Sequence, residues 1–167
     1  MTLPTLAVFD IDGVLADVRH RLHHVESRPK DWSAFFAAMD DDAPLDVGIA
    51  LAHDQVAAGH EVAYLTGRDE SHRALTAAWL ERHGLPPGRL HMRRVGDRRP
   101  ARVMKPEALR RLSRTHQVVA VVDDDVAVVR VLREAGWPVL HATWMTEATP
   151  EAEQQALFDA QELDGRS

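Results

Sequence analysis

Asp10 and Asp12 end the apolar run Ala7-Val8-Phe9, are separated by Ile11, and are followed by Gly13-Val14-Leu15. On an extended backbone both carboxylates face one side. Two close carboxylates repel unless a cation lies between them or one keeps its proton. Oxygen-only ligands favour a hard ion such as Mg²⁺. An isolated pair of this kind also fits a solvated loop after a strand, so the rest of the chain decides. A second polar cluster, Thr66-Gly67-Arg68, closes the apolar stretch 62–65, and a third, Asp123-Asp124-Asp125, closes 118–122. Lys105 lies between them. Of 20 basic residues 18 are Arg, and only Lys30 and Lys105 are Lys, so the rarity of Lys draws notice to Lys105 between the polar clusters. Carboxylates, one hydroxyl and a fixed ammonium suit a phosphoryl group, which is handled by positioning and by neutralising oxyanion charge. An Asp carboxylate can itself be the nucleophile.

Other chemistries are excluded. The chain has no cysteine, which removes disulfides, thiolate catalysis and Cys-ligated zinc. There is no Ser-His-Asp order, no G-x-S-x-G elbow and no G-x-x-x-x-G-K-[ST] loop. The net charge of -6 argues against coating nucleic acid in general, but leaves room for a local basic patch. No apolar stretch approaches the roughly 20 residues of a membrane span, and no signal peptide is visible, so a cytoplasmic protein without membrane contact is expected.

The elements that must position these residues alternate. Strands are expected near 6–9, 61–65, 89–93, 118–122 and 139–141, and helices over 44–58, 71–83, 106–114 and 126–135. The expected helix at 71–83 turns Leu75, Ala78, Trp79 and Leu80 inward. Pro106 fits the first turn of its helix, which leaves 95–105 as a basic loop. This alternation argues an α/β fold, a three-layer Rossmann-like parallel sheet of about five strands with helices on both faces. Parallel strands place the three polar clusters on one rim, where ligands bind in open α/β sheets. The whole chain, 1–167, reads as one domain. Residues of about 17–44 are too many for an ordinary connection and read as a small lid, and a surface helix is expected over 151–163 within a C-terminal segment of about 150–167.

The set Asp10-x-Asp12-Gly13-Val14-Leu15, Thr66-Gly67-Arg68, Lys105 and Asp123-Asp124 resembles the four motifs of the haloacid dehalogenase (HAD) superfamily of phosphatases, over roughly residues 6–144. The resemblance implies that Asp10 attacks phosphorus and that Asp12 protonates the leaving oxygen and later activates water. It implies that Thr66 binds the phosphoryl oxygens and that Lys105 neutralises them. It places Mg²⁺ on Asp10, the Asp12 backbone carbonyl and Asp123, with Asp124 close by. Asp125 leaves the fourth motif ambiguous by one residue; Asp123 and Asp124 are aligned because they directly follow the strand.

Within the superfamily the sequence is most similar to the phosphatase domain of polynucleotide kinase-phosphatases. The likeness rests on Arg21 in the lid, the Thr66-Gly67-Arg68 turn, Gly96-Asp97-Arg98 before Lys105, and Val122-Asp123-Asp124. It implies removal of 3′-phosphates from nucleic-acid ends, with Arg21, Gly67 and Arg68 on the substrate side. The kinase half is not part of the match, which implies a stand-alone phosphatase or a separate kinase or repair partner. A small-molecule phosphatase and a non-catalytic phosphate-end binder are the alternatives. His20, His23 and His24 read as solvated rather than as a metal set. Trp32, Phe35 and Phe36 read as lid packing, and Trp79 and Trp137 as core. The basic run Arg93, Arg94, Arg98, Arg99 and Arg102 reads either as a solvated loop or as a track for backbone phosphates, with no aromatic residue interleaved for stacking.

Overall fold

The fold grows from strand β1 (Thr5–Phe9), in which Leu6 and Val8 face one side and Ala7 and Phe9 the other, all four buried. A strand buried on both faces belongs inside a covered sheet. The computed structural model describes residues 2–26 and 28–145. Its main sheet has five parallel strands in the order β5 (Arg89–Arg93), β4 (Glu61–Asp69), β1, β6 (Gln117–Asp123) and β7 (Val139–His141). Helices α3 (Asp46–Ala57) and α4 (Arg73–Arg82) cover the Ala7/Phe9 face through Ala52, Trp79 and Leu80. Helices α5 (Ala101–Leu112) and α6 (Val126–Glu134) cover the Leu6/Val8 face through Met104, Ala108, Leu109, Val128 and Leu132. This is the expected three-layer α/β architecture. Among the described residues no helix is long and apolar enough to cross a membrane. The helix expected over 151–163 lies outside the described residues.

The segment between β1 and α3 forms a small cap. A two-stranded antiparallel ribbon, β2 (Ala16–Asp17) and β3 (Ala43–Pro44), ties its two ends together. Between them lie helices α1 (His23–Glu26) and α2 (Trp32–Ala37). Val18, Leu22, Val25, Phe35, Phe36 and Met39 form a core of their own, joined by Met145. The cap is clamped to the body at Gly48, where a Cβ would stand 1.9 Å from the Val14 carbonyl oxygen.

Three local expectations are corrected. Pro44 belongs to the ribbon, opposite Ala16, and α3 begins only at Asp46. Helix α4 begins at Arg73 after a 3-10 turn that Asp69 caps, and it turns Thr76 inward rather than Leu75 or Ala78, which are exposed. Thr76 is buried because its hydroxyl accepts a hydrogen bond from Arg68 Nη1 at 3.2 Å. Helix α5 begins at Ala101, not at Pro106, so Pro106 lies inside it. Proline inside a helix costs about 3 kcal/mol. Burial of Ala101, Met104, Ala108 and Leu109 against the sheet offsets this cost, and Pro100 with its carbonyl supplies the actual start. Lys105 therefore stands on a rigid helix rather than in a loop.

Candidate active site

Asp10 is the first residue after β1, and its N–H is held by the Val122 carbonyl at 2.9 Å, so the ends of β1 and β6 are locked side by side. Continuing the alternation from Leu6 and Val8 carries its side chain toward α5. There Lys105 Nζ lies 3.2 Å from Asp10 Oδ2 and donates to Asp123 Oδ2 at 2.6 Å. Asp10 Oδ1 accepts from the Ile11 N–H at 2.8 Å. Asp10, Lys105, Asp123 and Asp124 are all at most 2% exposed. Burial pushes the Asp10 carboxyl up to about 8 despite Lys105 beside it, with Asp123 and Asp12 adding to the rise. Burial opposes the charge on Lys105, but Asp10 and Asp123 more than offset it and hold the ammonium firmly charged.

The run of three aspartates at the end of β6 divides by function. Asp125 caps α6, its carboxylate accepting from the N–H groups of Ala127 and Val128. Asp123 Oδ1 accepts from the Asp125 N–H at 3.0 Å, which leaves Oδ2 for Lys105. Asp124 is buried with both carboxylate oxygens unpartnered, and Asp10 Oδ2 meets only the Lys105 ammonium, as an ion pair. Burial first, and then Asp10 and Asp123, push the Asp124 carboxyl well above its ordinary range. Buried carboxylate oxygens without donors are costly. Oxygen atoms of Asp10, Asp123 and Asp124 lie within 4.8 Å of one another, a donor set suited to a hard divalent cation. Gly13 makes this approach possible: its φ is +80°, and a Cβ there would stand 2.0 Å from Asp124 Oδ2. A side chain at Gly13 would fill the cradle. Among the described residues no histidine joins this set; His20 Nε2 is bound to Asp42 at 2.7 Å, and His23 and His24 pack ring on ring.

Asp12 lies in a different electrostatic setting. Arg68 Nη2 donates to its Oδ1 at 2.5 Å, and Arg21 Nη2 donates to the same oxygen at 3.2 Å. Burial opposes ionisation of Asp12, but the two guanidinium groups outweigh it and hold the carboxyl below its ordinary range. Both arginines are fully buried and share a second carboxylate, Asp42. Asp42 Oδ1 accepts from Arg21 Nε at 2.7 Å, and Oδ2 accepts from Arg21 Nη2 at 2.9 Å and Arg68 Nη2 at 3.1 Å. Arg21 also covers the Phe35 ring at 4.4 Å. The cap thus contributes two charged groups to the site, Arg21 and Asp42. Asp42 is the residue that the sequence alone did not single out. The available signal was charge balance, because a buried Arg21 and Arg68 need more than one carboxylate.

Thr66 is buried on β4, and its Oγ1 accepts from the Arg68 N–H at 3.1 Å, closing the Thr66-Gly67-Arg68 turn. The Gly67 carbonyl accepts from Arg93 Nε at 2.9 Å. Arg93 also donates to the carbonyls of Asp97 and Arg99, so this first member of the basic run is a buried strut. Arg99 is paired with Asp97 and Glu107. The structure brings Asp10, Asp12, Thr66, Lys105, Asp123 and Asp124 to one rim, with Arg21 and Arg68 behind Asp12.

Comparisons with known proteins agree with this geometry. The family model described as the polynucleotide kinase PNKP phosphatase domain matches residues 4–144. A search of the curated proteins returned no match. Among solved structures, one described as the Pnkp1/Rnl/Hen1 complex is similar, with TM-score 0.70 and 24% identity; the match covers 84% of this chain and 45% of that one. This chain therefore spans about half the length of that relative. A class C acid phosphatase from Bacillus anthracis with tungstate bound has TM-score 0.63 and 15% identity, over 95% of this chain and 80% of that one. A haloacid dehalogenase-like hydrolase from Bacteroides fragilis, described as putative, has TM-score 0.61 and 14% identity, over 96% and 95%. At these identities the structures bear on the fold. The family model spans nearly all of the described chain, and with it the aspartates, the threonine turn and the lysine gathered on one rim: the chain belongs to the polynucleotide kinase PNKP phosphatase-domain family and is a phosphatase of the haloacid dehalogenase superfamily.

Proposed function

We propose that the chain is a Mg²⁺-dependent phosphomonoesterase that works through an aspartyl phosphate on Asp10 and removes 3′-phosphates from nucleic-acid ends. The observation that carries this reading is the contrast between two neighbouring carboxylates. Asp10 lies in a cluster with unpartnered oxygens, and Asp12 lies between two guanidinium groups. The first arrangement suits a nucleophile beside a cation, and the second holds Asp12 in a fixed orientation next to it, where the phosphoryl group can return it to a proton-carrying form.

In this reading Asp10 Oδ attacks phosphorus as the 3′-oxygen leaves with a proton from Asp12. The phosphoryl charge beside Asp12 raises its carboxyl toward the protonated form, against Arg21 and Arg68. Water then attacks the aspartyl phosphate, Asp12 takes its proton, inorganic phosphate leaves, and Asp10 is regenerated. Thr66 donates its hydroxyl proton to a phosphoryl oxygen, and Lys105 neutralises the oxyanion and the nucleophile. Asp10, Asp123, Asp124 and the Asp12 carbonyl would hold Mg²⁺, which when bound supplies charge neutralisation for the phosphoryl oxygens. Gly67, Arg21 and Arg68 are read on the substrate side, the two arginines acting through the Asp12 carboxylate they hold. The family match and the similarity to a structure described as an RNA repair complex support a nucleic-acid end as substrate and a separate kinase or repair partner.

A panel of 3′-phosphorylated oligonucleotides, 5′-phosphorylated oligonucleotides, mononucleotides and sugar phosphates tests this reading. The expected outcome is the highest kcat/KM on the 3′-phosphorylated oligonucleotide. A higher value on a sugar phosphate or mononucleotide would replace it with a small-molecule phosphatase.

A further inference from the structure

The basic run that precedes α5 is not uniformly solvated. Arg93 is a buried strut, and Arg99 is paired. Arg94 and Arg98 are exposed and, among the described residues, have no hydrogen-bond or ion-pair partner. Both line a groove of about 280 Å³ whose other wall is Trp32, the first residue of α2 in the cap. Trp32 and Arg98 are far apart in sequence, so no pattern along the chain joins them. The Trp32 ring is half-buried and braced, stacked on Phe36 at 6.0 Å and edge-on to Phe35 at 5.7 Å. Lys30 Nζ lies 5.7 Å from the same ring and adds positive charge. Two carboxylates also line the groove, and both are occupied. Asp69 accepts from Ser71, and Asp97 accepts from Arg99, whose guanidinium holds it down to about 2.

The groove adjoins the reacting rim. Asp69 directly follows Arg68, and Arg93 ties the groove floor to the Gly67 carbonyl. Strand β4 separates β1 from β5, so the end of β5 lies about 10 Å across the rim from the end of β1. That distance falls within the span of the last two nucleotides of a strand. A braced aromatic face beside unpaired guanidinium groups is the combination that binds single strands, by base stacking and backbone charge.

We propose that the groove between Trp32 and the loop carrying Arg94 and Arg98 seats the nucleotide next to the phosphorylated 3′ end of a single strand, its base on Trp32 and its backbone phosphate on Arg94 and Arg98. This rests on the reading of a 3′-phosphorylated strand as substrate and extends it to a second position. Nucleic acid is favoured over an acidic peptide because the groove pairs cations with one flat aromatic face.

The test uses the full chain and measures kcat/KM on a 3′-phosphorylated single-stranded oligonucleotide and on a nucleoside 3′-phosphate over about a fourfold rise in salt. Each phosphate contact on a single strand contributes about 0.7 to the log–log salt slope. The variant Arg94→Ala/Arg98→Ala is therefore expected to flatten the slope by about 1.4, so that over this range the wild type loses about sevenfold more than the variant. The oligonucleotide-to-nucleotide ratio should fall in the same variant, and Arg110→Ala/Arg114→Ala, which removes the same charge from exposed positions on and just after α5, should leave the ratio unchanged. Trp32→Leu should lower the ratio at least fivefold, as loss of one stacked base does, and Trp32→Phe should restore most of it. Equal ratios and slopes in wild type and Arg94→Ala/Arg98→Ala would overturn the groove while leaving 3′-phosphatase activity standing. A wild type that hydrolyses the nucleotide but not the oligonucleotide would overturn the substrate reading, and the groove with it.

Discussion

Asp42→Asn tests whether the cap completes the site or merely covers it. The side chain of Asp42 is fully buried and binds both arginines that hold Asp12. In the native protein two carboxylates face two guanidinium groups, and the set is neutral. The amide is nearly isosteric but leaves one guanidinium charge uncompensated, and its NH₂ group faces donors. Removing one partner of a buried ion pair costs about 3–5 kcal/mol. For a domain of this size each kcal/mol shifts Tm by about 2–4 °C, so a fall of about 6–20 °C is expected, read by circular dichroism. Because Arg21 and Arg68 then lose their shared anchor, kcat should fall at least tenfold at a temperature where the variant is folded. The double variant Arg21→Met/Asp42→Leu separates the two effects: it restores neutrality, since Arg68 still pairs with Asp12, and should recover most of the Tm but not kcat. An Asp42→Asn protein melting within about 2 °C of wild type would refute the reasoning. So would a double variant losing the sum of the two single effects, since it would show no coupling between the residues.

Asp10→Asn should abolish turnover in a single-turnover assay, and without metal it should melt at or above the wild-type temperature, because it removes one of three crowded carboxylates; a clear fall in Tm would contradict the crowding. Exhaustive chelation should abolish activity and Mg²⁺ should restore it and raise Tm; restoration by Zn²⁺ alone would return attention to His20, His23 and His24. Lys105→Arg should lose activity on the order of 10²-fold, because a planar guanidinium does not fit where a buried ammonium lies 2.6 Å from Asp123 and 3.2 Å from Asp10; wild-type kcat in steady-state assays would reduce Lys105 to general charge.

The half of the site built on strand ends was legible in the sequence. Asp10, Thr66 and Asp123 each close an apolar run, and a parallel sheet brings such ends to one rim whatever the helices do. Lys105 was legible by its rarity but was placed in a loop. Proline at 106 looked like a helix start, and only tertiary burial of Ala101 and Met104 reveals that the helix begins a turn earlier. The other half was not legible, because it depends on contacts between segments with no shared periodicity. Arg21 reaches Asp42 across the cap, Arg68 reaches Thr76 from a strand to the next helix, and Trp32 meets Arg94 and Arg98 across the rim. The resemblance singled out Arg21 in the cap, but its carboxylates, Asp12 and Asp42, are visible only in the fold.

The two halves differ in charge, and that difference has a chemical consequence. Arg21 and Arg68 balance Asp12 and Asp42. On the other side Lys105 alone faces Asp10, Asp123 and Asp124, so with all three ionised that cluster is two charges short of neutral. A divalent cation supplies that charge, and a monovalent one supplies half of it. The arginine pair also keeps Asp12 from serving as a further side-chain ligand, because its oxygens are already taken by Arg21 and Arg68. Residues two apart in sequence are therefore driven in opposite directions, Asp10 upward by burial among carboxylates and Asp12 downward by guanidinium groups. Pairs of carboxylates separated in this way take separate roles. On the proposed reading a divalent cation held by Asp10, Asp123 and Asp124 would favour the ionised Asp10 that a nucleophile must be, whereas the Asp12 side chain, held by Arg21 and Arg68, would serve as the proton carrier. On the same reading, which of two chemically identical side chains bonds to phosphorus is set by residues from the cap, from β4 and from α5 rather than by the D-x-D sequence itself.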